Sequence, residues 1–299
     1  MNVSQYFRFT SLRAFLRTET LAFWALLLTL PGCTTEAEIV LPAVPPKLVV
    51  SGFISPENPV IEISVTKSAS LLSNEKNDRI TIVPDAEVWL SNGSDSVLIP
   101  FDGDKLYTIR NFAIMPGETY TLRAFAPSGF AVKAQCTVPV KINTSLTARI
   151  DSTEVGPQNP DGFYRLESKW QDLPGEGDFY RTHAVEATGT AGSPVITSRE
   201  TITFLDEPQV KDQDHDGRTW QIASDALFDF REVRSRGTLK FYDVYLFTTD
   251  RAYYEYHNSL YHYRINNSFT DPMKLYSNVQ GGLGIFAAYR MHTIQIPIQ

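Results

Sequence analysis

Val60-Ile61-Glu62-Ile63-Ser64-Val65-Thr66 alternates apolar and polar residues almost without a break. Successive side chains of a strand point to opposite faces, so this spacing predicts a strand with one face buried. The flanking residues continue the theme. Upstream, Lys47-Leu48-Val49-Val50-Ser51-Gly52-Phe53-Ile54 is rich in strand-forming residues. Downstream, beyond a polar loop at 67–79, come Ala86-Glu87-Val88-Trp89-Leu90, Val97-Leu98-Ile99-Pro100, and two further strands at 120–125 and 131–138. Asn92-Gly93, Asp102-Gly103, Pro116-Gly117 and Pro127-Ser128-Gly129 punctuate them. Asn-Gly and Asp-Gly tolerate the positive φ that tight hairpins require. About seven short strands with regular turns predict a small β-sandwich over 47–142.

The run Gly117-Glu118-Thr119-Tyr120-Thr121-Leu122-Arg123-Ala124 looks like the late strand of immunoglobulin-like or transthyretin-like domains. A second β-rich part follows over 143–299, with strands predicted at 147–151, 162–170, 179–187, 198–204, 219–222 and 237–248. One segment reads as helix, from Arg251 to about Arg264, with Thr249 or Asp250 as its N-cap. Tyr253, Tyr256 and Leu260 share one face of it, with Tyr263 three residues on. Such a stripe either packs the helix on a sheet or offers a ligand platform. His257 and His262 are five apart, on different faces, and make poor joint metal ligands. The expected fold is mainly β: an immunoglobulin-like or transthyretin-like sandwich, then a larger β-rich domain with one packed α-helix.

The N-terminus carries a different message. Arg8, Arg13 and Arg17 precede the apolar run of residues 21–30, which ends at Pro31-Gly32-Cys33. A basic region followed by a short apolar run is the layout of a secretory signal. The run is about ten residues, half of the roughly 20 a spanning helix needs. The cysteine, with leucine three before it and glycine one before, resembles the lipobox of bacterial lipoproteins. That resemblance implies a signal peptide over 1–32, lipid attachment at Cys33, and a tether over 33–46. Glu36, Glu38, Pro42, Pro45 and Pro46 fit a tether, since the segment lacks hydrophobic periodicity.

The chain's net charge is −7, and its first 32 residues carry +2, which leaves −9 on the remainder. An acidic chain with no basic tract excludes nucleic acid as a partner, because Lys and Arg on phosphate supply most of that affinity. Of two cysteines, lipid on Cys33 leaves Cys136 alone in an alternating strand, where it reads as a small buried hydrophobe. No disulfide then staples the chain, and a hydrophobic core must hold it.

Three runs occur in order: Lys47-Leu48-Val49-Val50-Ser51-Gly52, then Trp170-Gln171-Asp172-Leu173-Pro174-Gly175-Glu176-Gly177-Asp178-Phe179-Tyr180, then Tyr276-Ser277-Asn278-Val279-Gln280-Gly281-Gly282-Leu283-Gly284-Ile285-Phe286-Ala287-Ala288-Tyr289. With the leader, they resemble the DUF4249 lipoproteins of Bacteroidota over nearly the whole mature chain. The resemblance implies an outer-membrane lipoprotein, often encoded beside TonB-dependent receptors, with no agreed catalytic residues. Physically, Gly281, Gly282 and Gly284 allow close backbone approach before a buried Ile285-Phe286 strand. No Lys-Ser/Thr follows, so this is no phosphate loop.

Asp212-Gln213-Asp214-His215-Asp216-Gly217 matches the first half of an EF-hand calcium loop. Position 12 is Ala223, so the bidentate glutamate is missing. Asp212, Asp214 and Asp216 are candidate calcium ligands, or else a solvated acidic turn. No Gly-x-Ser-x-Gly and no His-Glu-x-x-His occurs. The functional expectation is therefore a lipid-anchored binding or accessory module of the outer membrane, beside a TonB-dependent transporter. The rivals are a calcium-assisted adhesin or glycan binder, and a carboxylate-based hydrolase.

Overall fold

A computed structural model describes residues 45–68, 81–152, 164–190, 196–205, 207–213, 216–225, 238–265 and 274–297. The leader, Cys33, most of the tether, the 69–80 loop and Asp214 lie outside the described residues. Sixteen strands and one helix are assigned there. The architecture is mainly β, as expected, and the compact unit spans Val44–Gln299.

Strands β1 (Leu48–Ile54), β2 (Val60–Lys67), β3 (Thr81–Ile82) and β6 (Tyr107–Arg110) form one wall of the N-terminal sandwich. Strands β4 (Glu87–Ser91), β5 (Ser96–Ile99), β7 (Thr119–Phe125) and β8 (Ala131–Thr137) form the other, in the order β5-β4-β7-β8. Alternation does the sorting. In β8, Val132, Ala134 and Cys136 point inward, and Ala131, Lys133, Gln135 and Thr137 point out. The inward residues of both walls share one core with Ile61, Ile63, Leu90 and Leu122.

The C-terminal half adds β9 (Thr147–Ser152), β10 (Tyr164–Gln171), β11 (Phe179–Thr190), β12 (Ile196–Thr201), β13 (Gln209–Lys211), β14 (Thr219–Ala223), β15 (Thr238–Thr249) and β16 (Leu283–Pro297). Strands β9, β10 and β14 make a three-stranded sheet. It packs Leu166, Trp170 and Ile222 against Tyr180, Tyr242 and Val244 of the large sheet, forming a second core.

Strand β16 joins the halves. Its first part pairs parallel with β1, from Val49 opposite Leu283 to Ile54 opposite Ala288. Its second part pairs antiparallel with β15, from Thr249 opposite Tyr289 to Phe241 opposite Pro297. The result is one sheet ordered β12-β11-β15-β16-β1-β2-β3, which runs across the expected division at 142 and 143. Asn143 sits buried at that division; its amide donates to the Gln171 carbonyl at 2.7 Å, and its backbone N–H donates to Thr248 Oγ1. Where β16 changes partners, the Arg290 guanidinium pairs with Glu57 at 2.6 Å, and Met291 N–H donates to the same carboxylate.

Helix α1 (Arg251–Ile265) covers the other face of this junction. Of the two expected caps, Asp250 is the one used: its Oδ1 accepts from Tyr253 N–H at 2.8 Å. Its Oδ2 accepts from Ala288 N–H, which fixes the helix start to β16.

The glycine run explains how β16 fits. Asn278 exchanges hydrogen bonds with the Phe286 backbone, and Gln280 pairs with Lys133 on the β8 edge. A Cβ on Gly281 would press on the Ala131 carbonyl, and one on Gly284 would overlap the Val50 carbonyl. Gly284 also has φ +114°, which L residues rarely adopt. The expected structural role is the one the backbone gives it. Gly284→Ala is expected to cost about 3 kcal/mol or more in urea unfolding, through overlap with backbone and strain together. Gly93→Ala has positive φ but open space around it, and is expected to cost about 1 kcal/mol. Equal costs at the two sites would contradict the close-approach argument.

Candidate functional site

Two loops at one end of the second core bring carboxylates together. The β10–β11 turn supplies Asp172 and Asp178, and the segment after β13 supplies Asp212. One oxygen from each lies within 4.8 Å of the other two. Backbone donors hold two of them: Gly217 N–H donates to Asp172 Oδ2 at 3.0 Å, and Gly177 N–H donates to Asp212 Oδ1 at 2.9 Å. Gly177 takes positive φ in that turn, a role suited to glycine. Asp172 Oδ1, Asp178 Oδ2 and Asp212 Oδ2 are buried with no hydrogen-bond partner. Burial raises the Asp178 pKa to about 6; Lys141 opposes this, and the Asp212, Asp172 and Asp216 charges add to it. Lys141 itself donates to the Pro174 carbonyl at 2.6 Å.

The sequence motif placed Asp212, Asp214 and Asp216 together. Asp212 is in the cluster, while Asp216 is exposed and accepts from Gly175 N–H at 3.0 Å. Asp214 lies outside the described residues. Asp172 and Asp178 were missed because they stand about 40 residues upstream, between the strands predicted at 162–170 and 179–187, in a run used only for the family resemblance. Two aspartates flanking Leu-Pro-Gly-Glu-Gly were the available signal.

A second feature lies on the outer face of the β5-β4-β7-β8 sheet. Trp89 stands opposite Arg123, which stands opposite Lys133. The next row holds Ser91, Thr121 and Gln135, with Gln135 donating to Thr121 at 2.9 Å. Trp89 is 36% exposed and Phe125 44%, high for residues of that size. They line a cavity of about 560 Å³ whose charged lining groups are Arg123 and Lys133.

The tyrosine stripe of α1 packs inward rather than presenting a platform. Tyr253 is buried among Phe53, Phe247 and Tyr289, and Tyr256 lies against Phe53. Only Tyr263, at the far end, is well exposed. His257 stacks on Tyr253 with ring centroids 4.2 Å apart, and its Nδ1 meets the Tyr253 carbonyl at 3.0 Å. His183 stacks on Tyr245. Cys136 is buried, and burial holds its thiol pKa high, which leaves it a hydrophobe. No helix among the described residues is long and apolar enough to cross a membrane.

The family model described as a domain of unknown function, DUF4249, matches residues 34–295, and the chain belongs to that family. No curated protein matches it. Among solved structures that match is one from Bacteroides uniformis, provisionally named a carbohydrate binding protein. It is 5% identical, the alignment covers 83% of this chain and 98% of that one, and the TM-score is 0.19. A likeness that distant carries no argument about this chain.

Two half-buried histidines give a pH signature. Burial, then the Arg181 charge, lowers His257 to about 3 and His183 to about 4, against an ordinary value near 6.5. Between those values the unfolded chain binds protons that the fold refuses. Their contribution is complete above pH 6.5 and drains as pH falls toward 4. Asp250, raised to about 7 by burial against its backbone donors, works in the opposite sense over about pH 4–7, as does Asp178. The informative quantity is thus a difference between variants. His257→Phe keeps a stacking ring without a titrating group, so its stability deficit relative to wild type is expected to shrink between pH 7.5 and 4.5 in urea titrations. A deficit independent of pH would show that His257 accepts its proton in the fold.

Proposed function

We propose that this DUF4249 protein is an envelope-anchored binding module, held at the outer membrane through lipid on Cys33, whose working surface takes a saccharide. The observation that carries the reading is the outer face of β5-β4-β7-β8. Trp89 and Phe125 are exposed there on a regular sheet, where nothing in their own core requires them. A flat aromatic ring covers the apolar C–H face of a sugar, while flanking polar groups bind its hydroxyls. Thr121, Gln135, Arg123 and Lys133 supply those groups in register across β7 and β8.

The charge narrows the class. Arg123 and Lys133 stand side by side in a chain with net charge −7, and no acid lines the cavity. Local cations in an acidic protein favour an acidic saccharide, because a guanidinium pairs with a carboxylate through two parallel hydrogen bonds. The leader, the Pro-rich segment before Lys47 and the family resemblance support the anchor and a TonB-dependent receptor as neighbour. A tether that stands the sandwich off the membrane leaves such a face free. Binding, rather than turnover, fits a site lined by no histidine and no carboxylate.

The test uses the mature protein titrated calorimetrically with uronic-acid oligosaccharides and with neutral ones of equal length. Acidic ligands are expected to bind more tightly. Trp89→Ala and Arg123→Ala are each expected to weaken them at least tenfold, with little change in melting temperature because both side chains are on the surface. Equal affinity for wild type and Trp89→Ala would overturn this assignment of the surface.

A further inference from the structure

We infer that Asp172, Asp178 and Asp212 form a divalent-cation site, suited to calcium, that fastens the β10–β11 turn to the residue that follows β13. This inference is independent of the saccharide reading. Three observations carry it.

The first is spacing. Carboxylate oxygens within 4.8 Å of one another can share one ion, since ligands about 2.3–2.6 Å from calcium stand at most about 5 Å apart across it. The second is the free oxygens. Asp172 is 4% exposed and Asp212 1%, yet Asp172 Oδ1 and Asp212 Oδ2 have no hydrogen-bond partner. A buried anionic oxygen without a donor is costly, and native folds rarely leave one uncompensated. The glycine N–H groups satisfy one oxygen of each and hold the other free. The third is the charge balance. Three carboxylates converge within 4.8 Å of one another, and the Lys141 ammonium sits on the β10–β11 turn. One ammonium, already donating to Pro174, leaves an excess of negative charge that a divalent ion would neutralise.

The donor set selects the ion. All-oxygen, carboxylate ligation suits calcium or magnesium rather than zinc or copper, which favour nitrogen and sulfur. Calcium accepts irregular coordination completed by water, whereas magnesium demands near-octahedral geometry. Of the three aspartates, Asp212 also lines a cavity of about 520 Å³. Half of the EF-hand pattern thus has a use: Asp212 comes from it, and the missing glutamate is replaced by aspartates from the other loop.

The experiment uses the mature protein freed of ions with a chelator. Calcium at about a hundredfold its Kd is expected to raise the melting temperature by about 5 °C. Terbium is expected to luminesce by transfer from Tyr180, whose hydroxyl borders Asp172, and calcium to displace it. Asp178→Asn, at the half-buried position, is expected to fold and to lose at least tenfold in terbium affinity. Asp212→Asn is a second variant with the same expectation. No calcium shift at 5 mM together with no sensitised terbium emission would overturn the site. So would terbium affinity unchanged in Asp178→Asn, or an Asp178→Asn variant that gains stability while calcium has no effect on wild type, the signature of carboxyls sharing a proton.

Discussion

The structure depends on one strand buried on both faces. In β16, Ile285, Phe286, Ala287 and Ala288 are all fully buried. Phe286 and Ala288 face the core of the N-terminal sandwich, and Ile285 and Ala287 face α1. Farther along, Ile294 and Ile296 pack on the second core. One strand therefore contributes to all three hydrophobic clusters, and each large side chain it buries is worth about 1.5–3 kcal/mol. A strand so enclosed must have its backbone satisfied on both edges: β1 pairs with it over Leu283–Ala288, and Asn278 and Asp250 bond the backbone groups of Phe286 and Ala288. Gly284 is the residue that lets it lie beside Val50.

The functional features follow from that frame. With β16 joining β1 to β15 in one sheet, the second wall of the sandwich turns its outer face to solvent, and Trp89, Arg123 and Lys133 stand there. The same frame fixes β11, whose N-terminal end closes the turn that carries Asp172 and Asp178. Helix α1 is placed by Asp250, which caps it and accepts from Ala288. Aromatic packing of Tyr253 and His257 over Phe53 then seals the far side of the junction.

Local periodicity made much of this legible. The alternation in β2, β4, β7 and β8 was plain because one face of each is buried and the other wet. The helix was legible to within a residue because its cap and its tyrosine spacing are local signals. What escaped detection was non-local. Strands β3 and β13, of two and three residues, are too short to show a period. Strand β6 was passed over between two turns. The second half of β16 does alternate, with Ile294 and Ile296 around Gln295, but its first half is apolar on both faces and was read as a short buried segment. Nothing in a single chain states that this strand runs parallel to β1, some 235 residues away. The acid cluster was half legible for the same reason: Asp212 sits in a recognisable motif, while Asp172 and Asp178 reach it only through the β10–β11 turn. The Trp89 face was invisible as a site, because an exposed tryptophan in a strand looks like any other until the register sets Arg123 and Lys133 beside it.

Calorimetric unfolding of the mature protein tests the central claim that β16 makes one cooperative body from the two halves. The account predicts a single transition whose calorimetric and van't Hoff enthalpies agree. Two separable transitions, one for residues 47–142 and one for 143–299, would contradict it.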